Sequence, residues 1–189
     1  MTGRPWGQFP SGRFQNLDES DANLSSVVLW LEIGTYSILL GSDLEYVPGE
    51  VGLGWQAVVS TVPPNFKKSS IFKVAHHGSP NGDCAQIWNS LIDTNSPPTL
   101  VCTPYSRGHG RPQKDDIQRL LGKSSELFIT SHGRMSAGSQ KRNKRMSDLI
   151  SCSRVKDLTS DLNGGYLVVS PDGRNLIRVD TFNGAKKCC

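Results

Sequence analysis

The chain has 189 residues, about the length of one domain, and its 36% hydrophobic content with a mean hydropathy of −0.37 is ordinary for a globular protein. Its net charge of +4 and isoelectric point near 8.9 favour phosphate-bearing partners but are too small to identify a nucleic-acid-binding protein. Five cysteines without a CxxC pair argue against a disulfide framework, and no stretch approaches the roughly 18 apolar residues that span a bilayer, so we expect a cytoplasmic protein without a membrane contact.

The chain begins with a segment that predicts no regular element. Residues 1–22 lack hydrophobic periodicity, so we interpret them as an extended lead-in, with the ordered chain starting near Asn23. The apolar runs at 26–32 and 36–43, separated by the turn residues 34–35, predict a β-hairpin.

The next part of the chain predicts a helix, a strand and a second helix. Residues 51–61 are typical of a short helix, residues 71–75 of a short buried strand, and residues 84–92 of another helix. Asp83, with Gln86 three residues later, resembles a capping box at the start of the second helix.

The same order of strand, loop and helix then recurs. Residues 99–103 predict a strand, residues 114–121 predict a helix that ends at Gly122, and residues 126–130 predict a further strand. This alternation indicates an α/β protein in which the hairpin and the later strands form one mixed sheet, with the helices on its outer face.

The last third of the chain contains a basic loop and a hairpin. Residues 139–145 (SQKRNKR) have the composition of a solvated loop. Residues 165–170 and 175–180, with the turn Pro-Asp-Gly at 171–173, predict a hairpin, and residues 183–189 predict a tail.

Asp43 comes at the end of a predicted strand. Gly41 and Ser42 allow the backbone to turn there, so the carboxylate is presented at the edge of the sheet. This placement suits a metal ligand. The alternative interpretation is that Asp43 begins a turn or caps the next segment.

A pair of histidines follows the predicted strand at 71–75. Imidazole suits zinc, and Gly78 after His76 and His77 lets the backbone pass close to whatever the rings hold. The alternative is a structural pair, with one ring buried and the other exposed.

Two further histidines lie in loops. His109 is flanked by Arg107 and Arg111, which suits an anionic phosphate group, although a solvated loop of no specific role explains the same residues. His132 precedes a glycine after a predicted strand, and we interpret it as a turn residue.

Three landmarks in order resemble the metallo-β-lactamase superfamily, and in particular the end of the hydrolase domain of ComEC-like proteins. They are Asn-Leu-Ser at 23–25 followed by the two hairpin strands, the strand ending in KVAHHGS at 73–79, and the loop RGHGRP at 107–112 followed by a helix. The resemblance covers about residues 23–130. Arg111 departs from the pattern, since the family usually has a second histidine there.

The resemblance implies a fold and a site. The fold would be an incomplete αββα sandwich, with residues 23–182 as the C-terminal half of the domain. The site would hold two zinc ions, with Asp43 as the bridging carboxylate and one histidine of the pair as a further metal ligand; we favour His76 over His77 because it continues the strand. Substrate contacts are implied at three residues, namely Ser79, His109 and Arg111.

The resemblance also implies that part of the site is missing. Members take most of their ligands from an upstream HxHxDH segment, yet no histidine precedes His76 in this sequence. We therefore expect an incomplete zinc site that is inactive or nearly so in this chain alone, and an unpaired apolar sheet face. A complementary N-terminal half or a second copy of the chain would cover that face, and the alternative is that the chain is a truncated gene product.

Two functions follow as expectations. The first is a metal-dependent hydrolase of phosphoester or related bonds, active once the upstream ligands are supplied. The second is a catalytically inactive fragment or a non-catalytic binding or assembly module, in which the basic loop at 139–145 contacts nucleic acid.

Overall fold

The computed structural model describes residues 19–105, 110–131, 165–171 and 177–189. After a 3₁₀ helix at Glu19–Ser25, the strands β1 (Leu29–Ile33) and β2 (Tyr36–Leu40) pair antiparallel around Gly34, which has a φ of 60°. The predicted hairpin is confirmed. Both strands are shorter than predicted.

Six further elements follow, each inside the range that the sequence predicted for it. They are α1 (Gly54–Ser60), β3 (Ile71–Lys73), α2 (Ala85–Ser90), β4 (Thr99–Cys102), α3 (Lys114–Leu121) and β5 (Leu127–Ile129). The strands are only three or four residues long, and most of their side chains are buried.

The predicted capping box at the start of α2 is wrong. Cys84 is the N-cap residue and makes no side-chain capping bond. The carboxylate of Asp83 instead accepts a hydrogen bond from Arg119 on α3. A charge-assisted bond to a guanidinium is stronger than one to a backbone N–H, so tertiary contact overrides the local pattern.

One mixed sheet of six strands, in the order β1-β2-β3-β4-β5-β8, forms the centre of the structure, where β8 is the two-residue strand Lys186–Lys187. Strands β2 to β5 are parallel, and the two outer strands run antiparallel to their neighbours. A continuous row of buried side chains crosses the parallel strands: Leu39, Phe72, Leu100 and Leu127. They form one core with residues of the three helices, including Trp55, Ile87 and Leu120. The α/β class with a mixed sheet and helices is thereby confirmed.

The face of the sheet that is turned away from this core is apolar, and at β1 it is exposed to solvent. Leu29, Leu31 and Ile33 alternate along the strand and are 51%, 39% and 59% exposed, and Val27 just before them is 70% exposed. Trp30, on the other face of the same strand, packs against the core. Within the described residues, β1 is an edge strand with an exposed apolar row.

The end of the chain differs from the prediction in two ways. The predicted hairpin exists, as β6 (Tyr166–Pro171) and β7 (Ile177–Phe182), but it forms a separate two-stranded sheet instead of joining the main one. The segment predicted as a tail supplies β8 (Lys186–Lys187), which pairs with β5. Next to β8, Cys188 is buried in the core and its N–H donates to Leu127 O (2.8 Å).

Several predicted features lie outside the described residues, namely the lead-in up to residue 18, the basic loop at 139–145, His132 and the turn between β6 and β7. In the part of the chain that the structure describes, no helix has the length and apolar character needed to cross a membrane.

Candidate functional site

The loops that follow β2, β3 and β4 meet at one edge of the sheet, because parallel strands end on the same side. Asp43 lies in the loop after β2, the pair His76–His77 after β3, and Tyr105 after β4. The carboxyl edge of a parallel sheet is where α/β proteins bind ligands.

The first two loops are hydrogen-bonded to each other through the backbone. The N–H of Gly41 donates to Lys73 O (3.0 Å), and the N–H of His76 donates to Ser42 O (2.9 Å). Ser42, His76 and His77 have φ values of 51°, 44° and 53°, in the left-handed region that costs a non-glycine residue about 1 kcal/mol or more. The contacts between the loops hold the backbone in this conformation, which fixes Asp43 relative to the histidines.

His77 lies between the loops after β2 and β4. Its Nε2 is 3.5 Å from Asp43 Oδ1, and its Nδ1 is 2.8 Å from Thr103 O. A carbonyl oxygen can only accept, so Nδ1 carries the hydrogen, and in the neutral ring Nε2 keeps its lone pair beside the carboxylate. The side chains of His77 and Asp43 are 24% and 48% exposed, so both can be reached from solvent.

His76 belongs to a different polar network, which does not include Asp43 or Thr103. Its Nδ1 lies 3.1 Å from both Glu45 Oε1 and Asn81 Oδ1. Asn23 donates to Glu45 Oε1 (2.8 Å), and its amide nitrogen also lies 3.5 Å from His76 Nε2. The two imidazoles therefore have different surroundings, with ring centroids 6.4 Å apart.

The loop after β4 covers His77 with an aromatic ring. Tyr105 stacks on the imidazole, with centroids 4.9 Å apart and an interplanar angle of 24°. The backbones of Tyr105 and Arg111 exchange two hydrogen bonds of 2.8 Å, which close the loop between them. The guanidinium of Arg111 donates to the buried Asp116 (2.7 Å), so it is already paired. His109 lies outside the described residues.

Ser79 and Arg119 stabilise the turn at residues 76–79, which we call the histidine turn. The Ser79 hydroxyl is buried and donates to Asn81 Oδ1 (2.5 Å), so the predicted contact with substrate would need the loop around it to open. Arg119, on α3, donates to Gly78 O (2.7 Å) and to Asp83 Oδ2 (2.5 Å). The guanidinium of Arg119 thus links the histidine turn to α3.

Two titratable side chains lie next to the site, the half-buried Lys73 and the buried Cys102. Burial lowers the pKa of Lys73 below its usual value, while the nearby Cys102 and Asp43 oppose this shift. Burial raises the pKa of Cys102 to about 12, so this thiol stays protonated at neutral pH. Lys73 Nζ donates to Val74 O (3.0 Å), and it adds positive charge near Asp43.

The side chains at this edge fit a zinc ion only in part. Asp43 and His77 offer a carboxylate oxygen and an imidazole nitrogen, which are ligand types that zinc takes. Across residues 19–105, 110–131, 165–171 and 177–189, no cluster of three or more His, Cys, Asp or Glu side chains has a geometry suited to a metal. A catalytic zinc takes at least three protein ligands, so the described residues supply two of them at most.

Sequence reasoning missed four residues of this site: Glu45, Asn81, Tyr105 and Arg119. Glu45 could have been found, because it is a second carboxylate in the same loop as Asp43. Asn81 could also have been found, because it lies five residues after His76 in the same loop. Tyr105 and Arg119 become neighbours of the histidines only through tertiary contacts, for which the sequence carries no local signal.

No family model, no curated protein and no solved structure matches this chain.

Proposed function

We propose that this chain provides part of the zinc site of a metal-dependent hydrolase of the metallo-β-lactamase fold, acting on phosphoester or related bonds. The observation that carries the proposal is the placement of His77: Nδ1 is held by Thr103 O, and Nε2 lies 3.5 Å from Asp43 Oδ1. Histidine ligands of metals typically donate their second ring N–H to a carbonyl or carboxylate, which leaves the other nitrogen for the metal.

This geometry supports His77, rather than His76, as the first zinc ligand of the pair. The sequence favoured His76 because it continues the strand. In the structure the Nε2 of His76 lies near an amide donor, Asn23 Nδ2, at 3.5 Å, and the nearest carboxylate, Glu45, lies on its Nδ1 side. Asp43 and His77 thus form the better pair of ligands.

The architecture is compatible with the proposal. The mixed sheet carries helices against one face and exposes apolar side chains of β1 on the other, as expected for one half of an αββα sandwich. The remaining ligands would come from an HxHxDH segment outside the described residues or on a second polypeptide. A bound zinc would supply a water of lowered pKa and polarise the scissile bond.

Positive charge around the pair supports a phosphoester as substrate. Lys73 lies close enough to Asp43 for their charges to interact, and Arg111 lies in the loop that carries the ring stacked on His77. Guanidinium and ammonium groups are the side chains that bind phosphate oxygens. Arg111 would have to exchange its bond to Asp116 for one to the substrate.

Calorimetric titration with zinc tests the ligands. We expect Asp43→Ala and His77→Ala each to weaken zinc binding at least about tenfold, because each removes one of only two ligands. Glu32→Ala is the control, since that carboxylate is 48% exposed on β1 and pairs with Ser37 at the start of β2, at the edge of the sheet opposite to the histidines. Equal zinc affinity in the wild-type protein and both ligand variants would overturn the proposal.

A second candidate function is that of an assembly module, and the exposed row on β1 favours it. Leu29, Leu31 and Ile33 lie on an edge strand, which offers both unpaired backbone groups and apolar side chains. We propose that a second copy of the chain pairs with this strand. The basic loop at 139–145 lies outside the described residues, so nucleic-acid binding gains no support.

A further inference from the structure

Two asparagines in the described residues are each followed by a glycine, namely Asn81–Gly82 and Asn183–Gly184. In such a pair the backbone nitrogen of the glycine can attack the side-chain carbonyl carbon of the asparagine, because glycine has no Cβ to hinder the approach. A cyclic imide forms, and the side-chain nitrogen leaves as ammonia. Water then opens the ring at either carbonyl, so the product is aspartate or isoaspartate, and no reagent besides water is needed.

Hydrogen bonds hold the side chain of Asn81 away from this reaction. Its Nδ2 donates to Glu45 Oε2 (2.7 Å), and its Oδ1 accepts from the Ser79 hydroxyl (2.5 Å) and lies 3.1 Å from His76 Nδ1. One of these bonds is to a charged carboxylate, which makes it stronger than a bond between neutral groups. For the side-chain carbonyl of Asn81 to reach the nitrogen of Gly82, these bonds would have to break.

The side chain of Asn183 has no such restraint. Asn183 is exposed in the turn between β7 and β8, which the N–H of Ala185 closes by donating to Phe182 O (3.1 Å). Its side-chain amide makes no hydrogen bond to another residue that the structure describes. We infer that Asn183 is a site of spontaneous deamidation in the folded protein, whereas the hydrogen bonds of Asn81 protect the other pair.

The isoaspartate product changes the turn that positions β8. Asn183 has a left-handed φ of 56°, and in isoaspartate the main chain runs through the former side chain and is longer by one methylene, so this conformation is lost. The strand β8 begins shortly after the turn and has only two residues, which pair with Phe128 and Ile129 of β5. A turn of altered length moves these two residues out of register, and β8 separates from β5.

Cys188, which follows β8, reports this separation. The residue is only 7% exposed in the core, and its N–H donates to Leu127 O (2.8 Å). In the unmodified protein the Cys188 thiol should therefore react slowly with a thiol reagent. It should react faster once isoaspartate has formed.

Mass spectrometry of tryptic peptides, after incubation of the folded chain in mildly alkaline buffer, tests the modification site. We expect deamidation at Asn183 to be at least about tenfold faster than at Asn81, because the hydrogen bonds of Asn81 make its reactive conformation rare. In urea the two rates should become similar. Equal rates in the folded protein, or no modification at Asn183, would overturn the inference. A ratio that stays the same in urea would overturn it as well, because the difference would then come from the sequence.

Thiol labelling tests the effect on β8 in a Cys189→Ser background, which removes the exposed cysteine. The incubation should speed labelling of Cys188, located by peptide mapping, at least about tenfold. Asn183→Gln should abolish this increase, since the longer side chain closes its ring far more slowly, and it also excludes an effect of Asn163–Gly164, a pair outside the described residues. Asn183→Asp, which lacks the additional methylene, should leave Cys188 protected.

Two outcomes of the labelling would overturn the effect on β8 while the modification site stands. In the first, isoaspartate forms at position 183 and Cys188 stays protected. In the second, the Asn183→Asp protein is labelled as fast as the incubated protein, so that the additional methylene is not the cause.

Discussion

Gly41 packs so closely against Ala75 that a Cβ added to the glycine would lie 2.7 Å from the Ala75 Cβ and 3.0 Å from its backbone nitrogen. This contact brings together the loops that carry Asp43 and the two histidines. We expect Gly41→Ala to lower the free energy of unfolding by about 1–3 kcal/mol, because the loops must move apart. Urea denaturation measures the change.

Gly122→Ala is the matched control for this substitution. Gly122 has a right-handed helical conformation at the end of α3, with φ of −65°, so alanine is compatible with its backbone. Its free energy of unfolding should stay within about 1 kcal/mol of the wild-type value. Equal stability of both variants would contradict the close packing at Gly41.

Arg119→Met should destabilise the protein. It removes hydrogen bonds to Gly78 O and Ser79 O and leaves the carboxylate of Asp83, which is only 9% exposed, without its cation. We expect a loss of about 2–4 kcal/mol in the free energy of unfolding, since an unpaired buried charge is costly. Amide hydrogen exchange at residues 76–79 should also become faster.

The ion pair between Arg178 and Asp180 provides the control for Arg119. Arg178 is 71% exposed, so Arg178→Met should change the free energy of unfolding by less than about 1 kcal/mol. A similar small effect of Arg119→Met would mean that the guanidinium does not hold the histidine turn.

Much of the main sheet could be predicted from the sequence because its elements have strong local patterns. The helix at Lys114–Leu121 has the predicted bounds, and the strands β3, β4 and β5 lie inside their predicted ranges. The role of the last residues could not be predicted, since the two-residue strand β8 is defined only by its pairing with β5. The separate sheet of β6 and β7 likewise depends on pairing that no local pattern encodes.

Only those residues of the candidate site that directly follow a strand could be predicted from the sequence. Asp43 and His77 each follow a short apolar run, and parallel pairing brings them together. Which histidine faces Asp43 depends on left-handed backbone angles at both positions, and the sequence gives no sign of these at non-glycine residues. The stacking of Tyr105 on His77 likewise depends on the path of the loop after β4.

Cys102 should make the protein less stable in alkaline solution. Its pKa rises from 9.0 to about 12 on folding because of burial, so above pH 9 the unfolded chain loses a proton that the folded chain keeps. The free energy of unfolding should therefore fall with rising pH, by up to about 1.4 kcal/mol per pH unit from this thiol. Urea denaturation between about pH 8 and 10 measures the slope.

The comparison with Cys102→Ala tests this contribution, together with the effect of the thiol on the pKa of Lys73. Lys73, whose pKa is lowered by burial, makes stability rise with pH, and Cys84 and Cys188 act in the same direction as Cys102. All three remain in the variant. We expect a flatter pH dependence in Cys102→Ala, and an equal slope in both proteins would rule out the thiol as its source.

The exposed row on β1 should cause the chain to associate. Antiparallel pairing of two copies centred on Leu31 would place Leu29 opposite Ile33 of the second copy, so the apolar row is complementary to itself. Light scattering after gel filtration should show a dimer that Leu31→Lys converts to a monomer. Val51→Lys, at a 72% exposed position outside the sheet, should leave the dimer intact. A monomeric wild-type protein at high concentration would contradict the prediction.

Strands β1 to β5 follow one another across the main sheet in the order in which they occur in the chain. Each strand can therefore pair with the one that left the ribosome just before it, so this part of the sheet can grow during synthesis without waiting for distant residues. Among the described strands of this sheet, β8 breaks the order, because it pairs with β5 although β6 and β7 lie between them in the chain. Until residues 186–187 have been synthesised, β5 is an open edge of the growing sheet, and their pairing with β5 covers that edge.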